Sequence, residues 1–153
     1  MTDIKQRIPS WRDCIALNPD NIQLTRLSGL SNACYRVKIM SETGPNKDLL
    51  SALEPQMLLY RLFECAIVDW NMENEIFQSL SDQDLGPKLY FQNNEYRIEG
   101  FFLSRPITIF EMRNEIFIEA YARKICDFNY NVEARKKVVK YLPMTKLYID
   151  ECF

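Results

Sequence analysis

The stretch from Leu80 to Phe102 constrains the fold more than any other part of the chain. Leu80 to Asp84 reads as a helix end, Leu85-Gly86-Pro87 as its stop, Lys88 to Phe91 as a strand, Asn93-Asn94 as a turn, and Tyr96 to Phe102 as a second strand. Proline cannot donate to a helical ladder, so the stop is sharp. An Asn-Asn pair tolerates the positive φ of a tight hairpin turn.

Upstream, Ile22 to Leu27 forms a strand that Ser28-Gly29-Leu30-Ser31-Asn32 interrupts. Ala33 to Met40 resumes with Tyr35, Val37 and Ile39 on one face and Arg36 and Lys38 on the other, the alternation of a half-buried antiparallel strand. Met57 to Phe63 is a third strand, apolar on both faces apart from Arg61. Asp69 or Asn71 caps a helix running to about Leu80, and a second helix is predicted from Glu111 to Phe128, where Ile118, Tyr121, Ala122, Ile125 and Phe128 recur at helical spacing. A short helix over Val132 to Leu142 follows. Residues 1–20 are polar, with a short helix around Trp11 and Ile15, and Ser41 to Pro55 reads as an exposed connection. Segregated strands with few crossovers predict an α+β fold: a five-stranded antiparallel sheet with one packed helix, followed by C-terminal helices.

Composition narrows the chemistry. The 153 residues contain no histidine, which removes Ser-His and Cys-His nucleophile pairs and imidazole metal ligands. Phosphoryl transfer suits what remains, because it rests on positioning and charge neutralisation. A net charge of -2 gives no reason to expect nucleic acid or an anionic membrane as partner. Five dispersed cysteines without a CxxC spacing predict free thiols in a reducing, cytoplasmic setting. No apolar run approaches the ~18 residues of a membrane span, and Met1-Thr2-Asp3 begins no signal peptide.

Three constellations carry candidate chemistry. The Leu27-to-Asn32 loop has the small residues that let backbone N–H groups approach phosphate oxygens, although its spacing also suits a plain hairpin turn, which is the commoner case. Glu73 falls on the same helix face as Ile76, Phe77 and Leu80, with Glu75 on the opposite face. A carboxylate in an apolar stripe needs a partner, and Arg61 is the charged residue of the third strand. Their pairing within about 4 Å is expected, either as a phosphate-fixing pair or as a buried structural ion pair. Third, Glu99-Gly100-Phe101-Phe102 leaves the sheet edge, where backbone groups can meet an adenine ring or simply run into a loop.

In this order the pieces resemble the N-terminal, nucleotide-binding lobe of the choline/ethanolamine kinases, over about residues 22 to 130. The Glu73-to-Tyr90 segment with Arg97 to Phe101 is the most specific part. Gly29, Leu30, Ser31 and Asn32 match a Gly-Gly-Leu-Ser/Thr-Asn loop in which Ser28 replaces the first glycine. Leu59 to Phe63 resembles the family's third strand, with Glu64 where glycine is common, and Asp127-Phe128-Asn129 stands where Phe-His is more usual.

The resemblance implies a protein-kinase-like N-lobe at residues 22–104, an N-terminal segment at 1–21 and the start of a second lobe at 105–153. It implies ATP as cofactor, with Gly29, Ser31 and Asn32 at the phosphates, Arg61 gripping them, Glu73 orienting Arg61, and Glu99, Gly100, Phe101 and Phe102 lining the adenine. The implied reaction is transfer of the ATP γ-phosphate to choline or ethanolamine. The family's His/Asn-Asp-x-x-x-x-Asn catalytic loop and Ile-Asp-x-Glu strand have no counterpart here, and Asp150-Glu151 only superficially resembles the latter. No catalytic or metal-ligating residue is therefore assigned, magnesium is expected only for a full-length enzyme, and ATP binding by this chain is expected to be weak and the chain inactive. The alternative is a non-catalytic nucleotide- or partner-binding module, pairing with itself or with a kinase homologue through exposed apolar surface.

Overall fold

The computed structural model describes residues 2–28, 32–40, 45–65 and 68–130. Five strands, β1 (Ile22–Leu27), β2 (Asn32–Ile39), β3 (Met57–Phe63), β4 (Leu89–Gln92) and β5 (Tyr96–Gly100), form one antiparallel sheet in the order β1-β2-β3-β5-β4. The helices are α1 (Thr2–Arg7), α2 (Pro9–Arg12), α3 (Lys47–Ser51), α4 (Trp70–Asp82) and α5 (Glu115–Tyr130). The chain divides into two compact units, residues 1–74 with 87–102 and residues 75–86 with 103–153. The whole sheet lies in the first. The helix expected over Val132 to Leu142, and Asp150-Glu151, fall outside the described residues.

Register assigns the two faces of the sheet to different work. Val37 pairs with Leu58, Tyr35 with Tyr60, Tyr60 with Ile98 and Leu62 with Tyr96, so their side chains share one face. That face joins Ile4, Ile8, Trp11, Leu17 and Leu50 in a single buried cluster. The opposite face carries Cys34, Arg36, Arg61, Arg97 and Glu99, because Cys34 pairs with Arg61 and Arg61 with Arg97. The alternation predicted for β2 is thus observed, with Val37 and Ile39 fully buried.

The N-terminal segment is part of the core, contrary to its polar composition. Trp11 is completely buried and its indole N–H donates to the Pro55 carbonyl at 2.9 Å, whereas Ile15, expected beside it, is 97% exposed. Lys5 ties the segment into a loop by donating to the carbonyls of Cys14 (2.9 Å) and Leu17 (2.6 Å). The Tyr96 hydroxyl on β5 donates to Asp3, and the Arg7 guanidinium lies 4.0 Å from the centre of the Phe91 ring. Charged residues here use their heads for anchoring while Ile4 and Ile8 are buried beneath.

Two further expectations are corrected, for the 41–55 connection and the hairpin turn, and the end of α4 is refined. The 41–55 connection contains α3, whose Leu50 is buried, and Gln56 caps its end by donating to the carbonyls of Leu50 (2.8 Å) and Leu53 (2.5 Å). Helix α4 ends at Asp82, close to the expected Leu80, and ahead of Gly86 the turn is made by Asp84, which takes φ 55° while the Leu85 N–H reaches back to the Leu80 carbonyl at 2.9 Å. Aspartate tolerates the left-handed region because its short side chain bonds locally. The β4–β5 hairpin uses no positive φ. The Asn93 carboxamide accepts from the N–H groups of Glu95 (2.9 Å) and Tyr96 (2.8 Å), a side-chain imitation of a backbone turn. Asp69 is the cap of α4, accepting from Asn71 and Met72 at 3.1 Å each. In the second unit, the helix expected from Glu111 is divided: a short 3-10 turn (Glu111–Arg113) ends at Asn114 in extended conformation, and α5 follows with Ile118, Tyr121 and Ile125 exposed.

Two outcomes are expected from this packing. Trp11→Ala should lower the unfolding free energy by about 3–5 kcal/mol in urea melts, against about 0.5 or less for Ile15→Ala. The second concerns pH: burial, then the hydrogen bond to Asp3, pushes the Tyr96 phenol up to about 12. Because the folded state holds this proton more tightly, the contribution is complete below the ordinary value of about 10 and is lost as pH rises from there towards the folded value. Phenolate absorbance should therefore show a late-titrating tyrosine, brought part of the way down by Asp3→Asn.

Candidate functional site

The polar face of the sheet is built by two facts of sequence. Arg97 and Glu99 lie two apart on β5, so both project to one side, and Arg61 on β3 pairs with Arg97 directly across the ladder. Two like charges opposite one another repel. The conflict is resolved by carboxylates. Glu99, 1% exposed, accepts from Arg61 Nε through one oxygen at 2.7 Å, while its other oxygen lies 3.8 Å from Arg97 Nε. From the first turn of α4, Glu73 takes the terminal nitrogens of Arg97 in a two-pronged grip of 2.5 and 3.1 Å.

Positive and negative groups thus alternate as Arg61, Glu99, Arg97 and Glu73. Asn74 reinforces the junction: its Oδ1 accepts from Arg97 at 3.4 Å and its Nδ2 donates to the Asn93 carbonyl at 2.9 Å. Trp70 at the start of α4 stacks on Phe63 of β3, ring centres 4.0 Å apart and nearly parallel, and the Arg97 guanidinium sits 5.6 Å from the Phe63 ring. Aromatic stacking and ion pairing together hold the helix N-terminus on the sheet.

The expected Arg61–Glu73 pair is not the one formed. Glu73 does turn toward the sheet, and Glu75 is exposed as expected, but the carboxylate binds Arg97. The helical wheel located the acid correctly; it carried no information about which strand lies beneath it. Arg97 was missed although the Arg97-Ile98-Glu99 alternation was visible, since a charge at each alternate position in a strand buried on both faces demands partners.

Arg61 is the outward end of the network. Its side chain is 27% exposed, and among the described residues its two terminal NH₂ groups have no hydrogen-bond partner. Burial works against its charge, but the field and hydrogen bond of Glu99, with smaller help from Cys34 and Glu73, outweigh it and raise its pKa above the ordinary value. Asn32 pairs with Phe63 and so lies on this face as well, its buried Oδ1 without a partner among the described residues. Gly29 and Ser31 fall outside the described residues.

At the strand exit, the Glu99 side chain is committed to Arg61 and the Gly100 N–H donates to the Lys88 carbonyl at 2.8 Å, so that amide is not open to a ligand. Phe101 is half-buried with the Arg36 guanidinium 6.0 Å from its ring, and Phe102 is exposed. Among the described residues, no group of three or more histidine, cysteine or acidic side chains is placed to hold a metal ion.

Similarity to known proteins falls on this same framework. Residues 24–147 match the family model described as choline/ethanolamine kinase. Choline/ethanolamine kinases of Rattus norvegicus and Homo sapiens are 29% and 28% identical to it over 124 residues. The match takes in 78% of this chain and 29% of those proteins, so the chain spans under a third of the curated relatives' length. A choline kinase from Cryptosporidium parvum shares the fold with a TM-score of 0.68 at 22% identity, over 86% of this chain and 36% of that one. An ethanolamine kinase of Plasmodium vivax gives 0.53 at 22% identity, over 71% and 27%.

The network makes a stability prediction. Arg97→Met should cost about 3–5 kcal/mol, because it leaves the buried Glu99 with a single partner and Glu73 with none. Glu73→Gln should cost less, since its side chain is 37% exposed. A double-mutant cycle read by urea melts is expected to show coupling on the order of 1–3 kcal/mol between the two positions; additive losses would mean the grip contributes nothing.

Proposed function

Because the chain belongs to the choline/ethanolamine kinase family, we propose that its sheet is the nucleotide-holding lobe of an ATP-dependent phosphotransferase acting on choline or ethanolamine. One observation carries this reading. Arg61 is anchored through Nε alone, its terminal amino groups are unengaged among the described residues, and its charge is reinforced by its surroundings. A guanidinium is a flat fork of donors matched to phosphate oxygens, and anchoring one edge leaves the other pre-aimed. The residues present therefore fit a phosphate-bearing ligand.

ATP supplies the transferable phosphoryl group. The chain's own residues do the rest of what is proposed here: Arg61 orients the phosphates and offsets their charge, Gly29, Ser31 and Asn32 add short polar contacts at the loop between β1 and β2, and the strand exit through Phe101 and Phe102 borders the adenine. No step of bond transfer is assigned to any of these residues. The choice between choline and ethanolamine rests with neither Arg61 nor its neighbours, which face the nucleotide in this reading.

The test is an ATP titration followed by NMR, which reports weak binding reliably. Affinity on the order of millimolar or poorer is expected, falling about tenfold with Arg61→Ala. Lys47→Ala, in the exposed first turn of α3, should leave it unchanged. Equal losses for both variants would reduce the interaction to general attraction between cations and a polyanion. With ATP and either amino alcohol, the 153-residue chain alone is expected to form no phosphorylated product.

A further inference from the structure

We propose that the carboxylate positioning Arg61 for phosphate is that of Glu99 on β5, and that the α4 carboxylate of Glu73 serves instead to lock helix to sheet through Arg97. The proposal rests on the reading of Arg61 as the phosphate-holding residue. Its ground is a difference in geometry that is simple to state. Both oxygens of Glu73 are taken by Arg97, at 2.5 and 3.1 Å, and it makes no ion pair with Arg61. Glu99 holds Arg61 at Nε at 2.7 Å and is itself 1% exposed.

An acid on a strand neighbouring the arginine's own strand behaves differently from one on a helix. Leu59 pairs with Glu99, so Glu99 and Arg61 are diagonal neighbours fixed by the ladder itself. The ladder, not α4, sets the separation of their backbones. A helix-borne partner would let any shift of the helix release the arginine; a strand-borne one keeps the guanidinium aimed. Arg97 completes the arrangement from behind. With its Nε 3.8 Å from the second Glu99 oxygen, it faces that oxygen with positive charge and leaves the first turned toward Arg61, and its far edge carries the helix. The Nε bond also selects which edge of Arg61 is used: the two terminal NH₂ groups remain for the ligand. Glu99 is on this account a positioning residue that never touches the nucleotide.

Two readouts test it on the full chain. The first needs no ligand: the Nε–H signal of Arg61 in NMR, which a persistent hydrogen bond protects from exchange with water. It is expected to be protected in the unmodified chain and in Glu73→Gln, and lost in Glu99→Gln. The second is the ATP titration. Glu99→Gln should weaken binding about tenfold, as Arg61→Ala does, and the double variant no further, because the two act as a unit. Glu99→Asp, which keeps the charge on a shorter arm, should recover part of the loss, whereas Glu73→Gln should stay within about twofold of the unmodified chain.

The proposal is overturned if Glu73→Gln exposes the Arg61 Nε–H or matches the loss caused by Arg61→Ala. It is also overturned if Arg61→Ala weakens ATP and Glu99→Gln does not, in which case the nucleotide reading survives without it. Should Arg61→Ala leave ATP binding intact, the nucleotide reading itself fails and takes the positioning role with it. If Glu99→Gln does not fold, the unmodified chain and Glu73→Gln decide the matter by the same two measurements.

Discussion

A buried carboxylate between two guanidinium groups is the interaction on which the rest of this structure depends. The β3–β5 register sets Arg61 directly opposite Arg97, and that register is itself required, because a slip by one residue would turn Leu58, Tyr60 and Ile98 away from the core. The hydrophobic face therefore dictates a like-charge clash on the polar face. Glu99, two residues from Arg97 on the same strand, neutralises it. Burying a lone carboxylate costs several kcal/mol, and burying a lone guanidinium costs as much; together, in alternation, each supplies the counter-charge that makes the other tolerable.

From that centre the two layers of the fold diverge. On the dry face, the sheet meets α1, α2 and α3 through Trp11, Ile8, Leu17 and Leu50, all buried. On the polar face it meets the start of α4, where Trp70 stacks on Phe63 and the contacts at Arg97 include ion pairs and a carboxamide bond. Burial gives the dry face its stability without regard to direction. Directional bonds on the other face fix the geometry of its charged side chains. A core built on one side only leaves the opposite side free to carry charge, and the family relationship of the chain is consistent with that division of labour.

Much of the sheet was legible because its signals are local. Strand β2 announces its two faces by alternation, the hairpin is bounded by Asn93-Asn94, and Asp69 caps α4 by a bond spanning two or three residues. The misreadings have equally local causes. Asn93-Asn94 suggested a turn of positive φ, and the Asn93 side chain substituted for the backbone instead. The first residues looked too polar for a core, because Asp3, Lys5 and Arg7 hide the fact that Ile4, Ile8 and Trp11 fall beneath them.

By itself, the order of residues determined which positions are charged, which alternate and which break, and through those the strands, the α+β architecture and the family resemblance. It also determined that Arg61 and Glu73 would need partners, since each sits among apolar neighbours. Only the tertiary structure decided who pairs with whom. Arg61 and Glu99 are 38 residues apart and Arg97 and Glu73 are 24 apart, and nothing in either interval encodes the other's position. The choice follows from placing β5 beside β3, with β4 outside it. That strand order brings Arg97 beneath the helix and Glu99 against Arg61, because an ion pair is selected by distance in space, and distance is set by the way the sheet is laid down.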